Sequence, residues 1–246
     1  MWLYMDYEEM FRGRPIELWL LKHAPPWFAH VVAISEAGRR DVRRNTGVQA
    51  SVVHLGLFHP GELVARRSPL PPSPRRVMYV GDSRPRKGLQ DFLAAAEQVF
   101  RQMPDVKLVI VSKEKCRIET SVPFEFHHFP SRRVLGELYR RSHLFVSASW
   151  AEGLGYPPLE AMACGTPVVL TNSRGVLDFA RPGENCLMVP PRRPDALAEA
   201  MLRLLADPAL AERFAAAGLQ TAQRFNWRTS VEKMEAILQS VVKGGV

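Results

Sequence analysis

The chain has 246 residues, 46% of them hydrophobic, which is enough for one large domain or two modest ones around their own cores. Charged residues are 24% of the chain, and the Gly and Pro content excludes a low-complexity or collagen-like sequence. A net charge of +8, densest in the clusters Arg39, Arg40, Arg43, Arg44 and Arg66, Arg67, Arg75, Arg76, favours anionic partners.

The first ten residues carry Asp6, Glu8 and Glu9 where a secretory signal would be basic. No apolar run reaches the roughly 20 residues of a membrane-spanning helix. Cys116, Cys164 and Cys186 are odd in number and widely spaced, so they form neither a disulfide framework nor a metal knuckle. A reducing, cytoplasmic location is expected, with the basic front leaving open a peripheral contact on an anionic membrane face.

In chain order, a strand is expected at 31–34, a basic helix at 36–44 capped by Ser35, and a strand at 52–55, together the remnant (1–67) of an α/β unit. The proline-rich stretch Ser68–Pro74 reads as an extended linker. From Arg75 on, short β-branched runs alternate with helical stretches, the pattern of an α/β, Rossmann-like, doubly wound parallel sheet. Strands are expected at 77–80, 106–111, 124–129, 144–147, 167–170 and 187–189. Helices are expected at 89–101, 132–141, 159–164, 176–180 and 196–224, the last broken near Asp207-Pro208. This unit ends at 225, and an amphipathic helix from about Thr229 to Val242 fills the remainder, 226–246.

The most informative segment runs from Ser147 to Val169: strand, glycine-bearing loop, helix, strand. Its loop lies at the carboxyl end of a strand, where open α/β sheets bind ligands. Gly153 and Gly155 allow close approach of the backbone, and Pro157 and Pro158 suit a first helical turn. Anion contacts are then left to the amides of Gly153, Leu154, Gly155 and Tyr156, at a helix N-terminus primed for phosphate. Glu152 in the loop and Glu160 one turn into the helix can face one pocket. Ionised carboxylates accept from pairs of sugar hydroxyls, and a sugar nucleotide offers such pairs twice. A second constellation, Val77 to Gly88, is a strand ending at Gly81 followed by a basic turn with Arg84, Arg86 and Lys87. Lys87 at the helix entrance adds full positive charge to the amide dipoles, as a diphosphate without a metal requires. Neither a P-loop nor a Gly-x-Gly-x-x-Gly spacing is present.

Glu152 to Val169, with Gly81 to Gly88, resembles the donor-binding half of a retaining, GT-B-fold glycosyltransferase of family 4, whose signature is the Glu-x7-Glu spacing of Glu152 and Glu160. The likeness spans residues 28 to 240. It implies that Lys87 binds the donor diphosphate, Glu152 the hydroxyls of the transferred sugar and Glu160 the nucleotide ribose. It further implies that the amides of Leu154 to Tyr156 approach sugar and phosphate, that His128-Phe129-Pro130 packs the base, and that the final helix, with Trp227, crosses back to the N-terminal domain. Three departures are visible. Gly81-Asp82 stands where the family often has Gly-Arg, with Arg84 or Arg86 to compensate. Ser112-Lys113-Glu114-Lys115 replaces a glycine-rich turn. The N-terminal domain is largely missing.

The expectation is transfer of a sugar from a UDP-, GDP- or ADP-sugar to a glycan or lipid-linked acceptor, with retention and with neither metal nor other cofactor; Lys87 and Glu152 carry the catalysis. The alternative is a non-catalytic donor-binding half that needs a separate acceptor-domain chain, docked through Trp19, Trp27 and Phe28. A phosphorylase or epimerase on the same fold is a weaker option, and nucleic-acid binding is not expected, for want of an aromatic-interleaved platform. His127 and His128, adjacent on a strand, point to opposite faces. Asp6-Tyr7-Glu8 reads as a surface feature, and Cys164 as a packed thiol.

Overall fold

The computed structural model describes residues 1–5, 11, 13–57 and 61–244, so the Asp6-Tyr7-Glu8 segment lies outside the described residues. Two parallel sheets organise the chain. The smaller has β1 (Trp2–Tyr4), β2 (Val31–Ala33) and β3 (Ala50–Val52), in the order β1-β2-β3. Helix α1 (Pro15–His23) and helix α2 (Glu36–Thr46) accompany it. Ser35 caps α2, its Oγ accepting from the Gly38 amide at 3.1 Å, and Gly47 ends the helix at φ 73°. Ala37, Asp41 and Val42 form the buried stripe of α2.

The larger sheet contains β4 (Arg75–Val80), β5 (Val106–Ser112), β6 (Phe124–His128), β7 (Leu144–Ser147), β8 (Val168–Thr171) and β9 (Leu187–Val189). All five pairings are parallel, in the order β6-β5-β4-β7-β8-β9, as the sequence pattern anticipates. Strand alternation divides the apolar residues. Val77, Tyr79, Leu108 and Ile110 pack with Phe92 and Leu93 of α3 (Leu89–Gln102) and Met201 and Leu204 of α6 (Pro194–Ala206). Met78, Val109 and Phe145 face the other way, toward Leu135 of α4 (Arg132–Arg140), Leu159 of α5 (Tyr156–Ala163) and Ala222 of α7 (Pro208–Ala222). Val32, Ile34, Val53, Leu55 and Leu57 belong to that same cluster, which therefore spans both sheets, while Tyr4, Val31 and Ala33 pack with Leu21 and Val42 in a separate one.

The final helix, α8 (Trp227–Gly244), crosses to the segment after β3: Trp227 Nε1 donates to Leu57 O at 2.9 Å and Ser230 Oγ to His54 O at 2.8 Å. The approach requires Gly56, because a Cβ there would stand 2.4 Å from the Trp227 nitrogen.

Several boundaries differ from expectation. β1 and α1 were not foreseen; a three-residue strand is too short to show a period. β3 begins two residues before the expected strand, and β2 and β6 stop one residue short, the latter because Phe129 turns to φ 46°. α5 begins at Tyr156 rather than Leu159, since its prolines occupy the first turn, where missing amides cost nothing. The expected helix at 176–180 is a single 3-10 turn, Gly175–Asp178.

Candidate functional site

Strand order fixes where the chemistry gathers. The chain leaves β4 outward to β5 and β6, then returns to β7 on the opposite side of β4, making a switch point between β4 and β7 at their carboxyl ends. The segment after β4 carries Lys87 in a 3-10 turn, Pro85–Lys87, and the loop after β7 carries Glu152. Across the switch point Lys87 Nζ donates to Glu152 Oε1 at 2.6 Å. Both side chains are about seven-eighths covered, at 13% and 12% exposure.

Local contacts hold each partner. Tyr79 OH donates to Lys87 O at 3.0 Å, and burial pushes the Tyr79 phenol well up, so it stays a donor. Gly88 adopts φ 68°, and a Cβ there would meet Ala148 O at 2.0 Å, so the turn bearing Lys87 seats directly on the end of β7. The Trp150 amide donates to Arg86 O at 2.7 Å, tying the loop to the same turn. Ser149 Oγ donates to Glu152 Oε1 at 2.7 Å. The Arg86 guanidinium lies 3.9 Å from Glu152 Oε2.

Asp82 is 9% exposed and is engaged by Arg84, whose Nε donates at 2.8 Å and Nη2 at 2.5 Å. Burial pushes this carboxyl up, but the hydrogen bonds and charge of Arg84 outweigh it and leave it below its ordinary value. Of the two arginines expected to compensate for Asp82, Arg84 neutralises it directly and Arg86 is the one beside Glu152.

Glu160 has a different neighbourhood. It is 4% exposed on α5, its Oε2 accepting from Tyr139 OH at 2.8 Å and its Oε1 from Arg132 Nη1 at 3.1 Å. Burial and the adjacent Glu160 charge hold the Tyr139 phenol protonated; the same causes push Tyr156 up to about 12. Glu152 and Glu160 thus have separate hydrogen-bond partners, Lys87 and Ser149 for the one and Tyr139 and Arg132 for the other.

The loop between them is tightly built. Gly155 caps α5 at φ 94°, Leu154 is 2% exposed, and Gly153 O presses on Gly175. Gly81, at the end of β4, lies against the Tyr79 ring. His128 and Phe129 stand at the outer end of β6, two strands from β4: His128 Nε2 meets Lys113 O at 3.2 Å, and the Phe129 ring is 65% exposed. His127 instead meets Glu125 Oε2 at 3.2 Å. Among the described residues no cluster of His, Cys, Asp or Glu is disposed to hold a metal ion, and no helix is long and apolar enough to cross a membrane.

Sequence reasoning missed Arg132, Tyr139, Ser149 and the pair Arg174–Asp41. Arg174, at φ 70°, bridges Glu152 in the backbone and forms an ion pair with the buried Asp41 of α2, clamping the small unit against the Glu152 loop. Of these, only Ser149, three residues before Glu152, was within reach of a local pattern.

Residues 62–221 match the family model described as glycosyl transferases group 1. Among curated proteins the chain is 29% identical over 210 residues to a D-inositol 3-phosphate glycosyltransferase of Segniliparus rotundus, covering 78% of this chain and 46% of that protein. It is 31% identical over 227 residues to an alpha-D-kanosaminyltransferase of Streptomyces kanamyceticus, covering 82% of this chain and 57% of that one. The chain thus spans about half the length of these relatives. Its backbone resembles sucrose-phosphate synthase from Thermosynechococcus elongatus with a TM-score of 0.85 at 24% identity, over 98% of this chain and 67% of that one.

Proposed function

The chain belongs to the group 1 glycosyl transferase family, and from that membership we propose that it binds a nucleotide-sugar at the β4/β7 switch point and transfers the sugar to an acceptor hydroxyl with retention, as a family 4 enzyme. The Lys87–Glu152 contact across the switch point carries this reading. The Glu152 carboxylate lies against the Lys87 ammonium group, the position an anionic donor group would take. A donor diphosphate takes over the ammonium group, with Arg86 and the amides of Leu154 to Tyr156 beside it, and releases Glu152 to accept from hydroxyls of the transferred sugar. As the glycosidic bond breaks, Lys87 stabilises charge on the departing diphosphate, a preorganised electrostatic contribution. No side-chain nucleophile and no metal enter the scheme.

Glu160 serves the ribose. A carboxylate has about four acceptor sites, and Tyr139 and Arg132 use two of them. Phe129 and His128 lie two strands, about 10 Å, from β4, a distance suited to a base whose diphosphate sits at Lys87. The acceptor hydroxyl belongs to a glycan or a lipid-linked sugar. Residues 1–67 are the acceptor-side remnant and 75–225 the donor unit, with α8 as the crossing helix.

A thermal-shift panel of UDP, GDP, ADP and their sugars tests the reading, since a ligand confined to the native state raises stability by about 2.7 kcal/mol at one hundred times its Kd. One nucleoside diphosphate is expected to raise Tm; no response to any of them overturns the proposal. Among the described residues the small sheet has three strands, which favours a second reading: a donor-binding half completed by another chain. Binding of the diphosphate without transfer or hydrolysis of its sugar ester would select it.

A further inference from the structure

A cavity of about 380 Å³ opens where the segment after β3, the 3-10 turn at Gly175–Asp178, α7 and α8 meet. None of Lys87, Glu152 or Glu160 lines it. Its floor is apolar: Phe179 and Phe225 are 2% and 7% exposed and meet edge to face at 6.0 Å. Three cations, Arg181, Arg224 and Lys233, line its walls. Arg181 donates to the carbonyls of Ala180 and Leu177 at 3.0 and 3.4 Å, and Arg224 and Lys233 form no ion pair among the described residues.

Two carboxylates also face this space. Asp178 is committed, accepting from the Glu36 amide at 2.7 Å and paired with His54 Nε2 at 2.7 Å. Glu184 stands exposed at the mouth. The buried polar groups offer nothing further: Asn185 bonds Arg181 N, Phe179 O and Thr221 Oγ1, and Thr221 donates to Ala217 O. Recognition is therefore left to the cations above and the aromatic floor below, with Gln220 as the remaining neutral donor.

We propose that this cavity is a second anion site, distinct from the donor cleft, which binds a small organic phosphomonoester: the phosphoryl group between Arg181, Arg224 and Lys233, the carbon skeleton on Phe179 and Phe225. Guanidinium and ammonium groups supply charge-assisted hydrogen bonds to phosphoryl oxygens, and 380 Å³ accommodates a molecule of that size. His54 is the lining residue from the segment after β3; the others belong to the large unit and α8.

The test is calorimetric titration of inorganic phosphate and of phenyl phosphate into the Lys87→Ala protein, where the proposed diphosphate contact is removed, and into the same protein carrying Arg224→Ala and Lys233→Ala. Both added substitutions are at exposed positions, and an unchanged melting temperature verifies the fold. Lys87→Ala is expected to bind both probes, phenyl phosphate at least as tightly as phosphate, and the triple variant to bind at least tenfold more weakly. Absence of phosphate binding to Lys87→Ala, or undiminished binding by the triple variant, overturns the site. Binding of phosphate with rejection of phenyl phosphate overturns its assignment to an organic phosphate.

Discussion

Lys87 and Glu152, 65 residues apart in the chain, meet at 2.6 Å across the switch point of the large sheet. Neither strand end alone makes a site; the reversal of strand order brings a cation from one βα turn to a carboxylate from another. A largely covered pair of this kind gains Coulomb energy that its desolvation offsets, so it is weak evidence for stability.

Lys87→Ala is expected to lower donor turnover by about 10² or more, the magnitude lost with one preorganised oxyanion donor. Steady-state kinetics on the donor check it, and near-normal turnover removes Lys87 from the reaction.

Glu152→Gln separates the two halves of the proposal. With the competing carboxylate gone from Lys87, the nucleoside diphosphate alone is expected to bind as tightly as to wild type or tighter, while sugar transfer falls by about tenfold to a hundredfold. Diphosphate affinity falling in step with transfer would contradict the exchange of Glu152 for the diphosphate.

Gly88→Ala forces a side chain into φ 68° and against a backbone carbonyl at 2.0 Å. A loss of about 2 to 4 kcal/mol follows from left-handed strain plus overpacking, visible as a fall in Tm of roughly 5 °C or more.

Arg174→Ala removes the clamp between α2 and the Glu152 loop and leaves Asp41 with Arg44 alone. A cost of about 1 to 3 kcal/mol is expected from a charged hydrogen-bond partner, with faster amide exchange in α2. Arg174→Gly, free of strain at φ 70°, is expected to retain up to about 1 kcal/mol more stability than the alanine variant.

His143 makes stability pH-dependent. Burial, reinforced by Arg66, Arg75 and Arg76, holds its imidazole below the ordinary value despite the bond to Pro71 O. Its Nδ1 accepts from the Arg76 amide at 3.0 Å, which a proton there would abolish. A depressed folded value means the contribution is complete above the unfolded pKa of about 6.5 and lost as pH falls through the folded one. Denaturant melts from pH 8 to pH 5 are expected to show this decline in wild type and a flatter profile in His143→Gln.

The large sheet was legible because most of its strands are compact apolar runs rich in β-branched residues and punctuated by glycine, proline or charge, and Lys87 and Glu152 were legible because both follow such runs. Tyr139, Arg132 and Asp41 were not. Tyr139 and Arg132 reach Glu160 from 21 and 28 residues away, and Asp41 reaches Arg174 from 133, by packing that no local periodicity encodes. Asp82 shows the converse: a carboxylate that reads as an obstacle in the sequence proves to be answered two residues later by Arg84.

Met78, Val109 and Phe145 sharing a cluster with Val32, Ile34 and Val53 restricts how the protein can move. A free swing of one sheet from the other would lay that hydrocarbon bare to water, so relative movement of the two is held to small sliding displacements of interlocked side chains, with α8 as the strap that limits its travel.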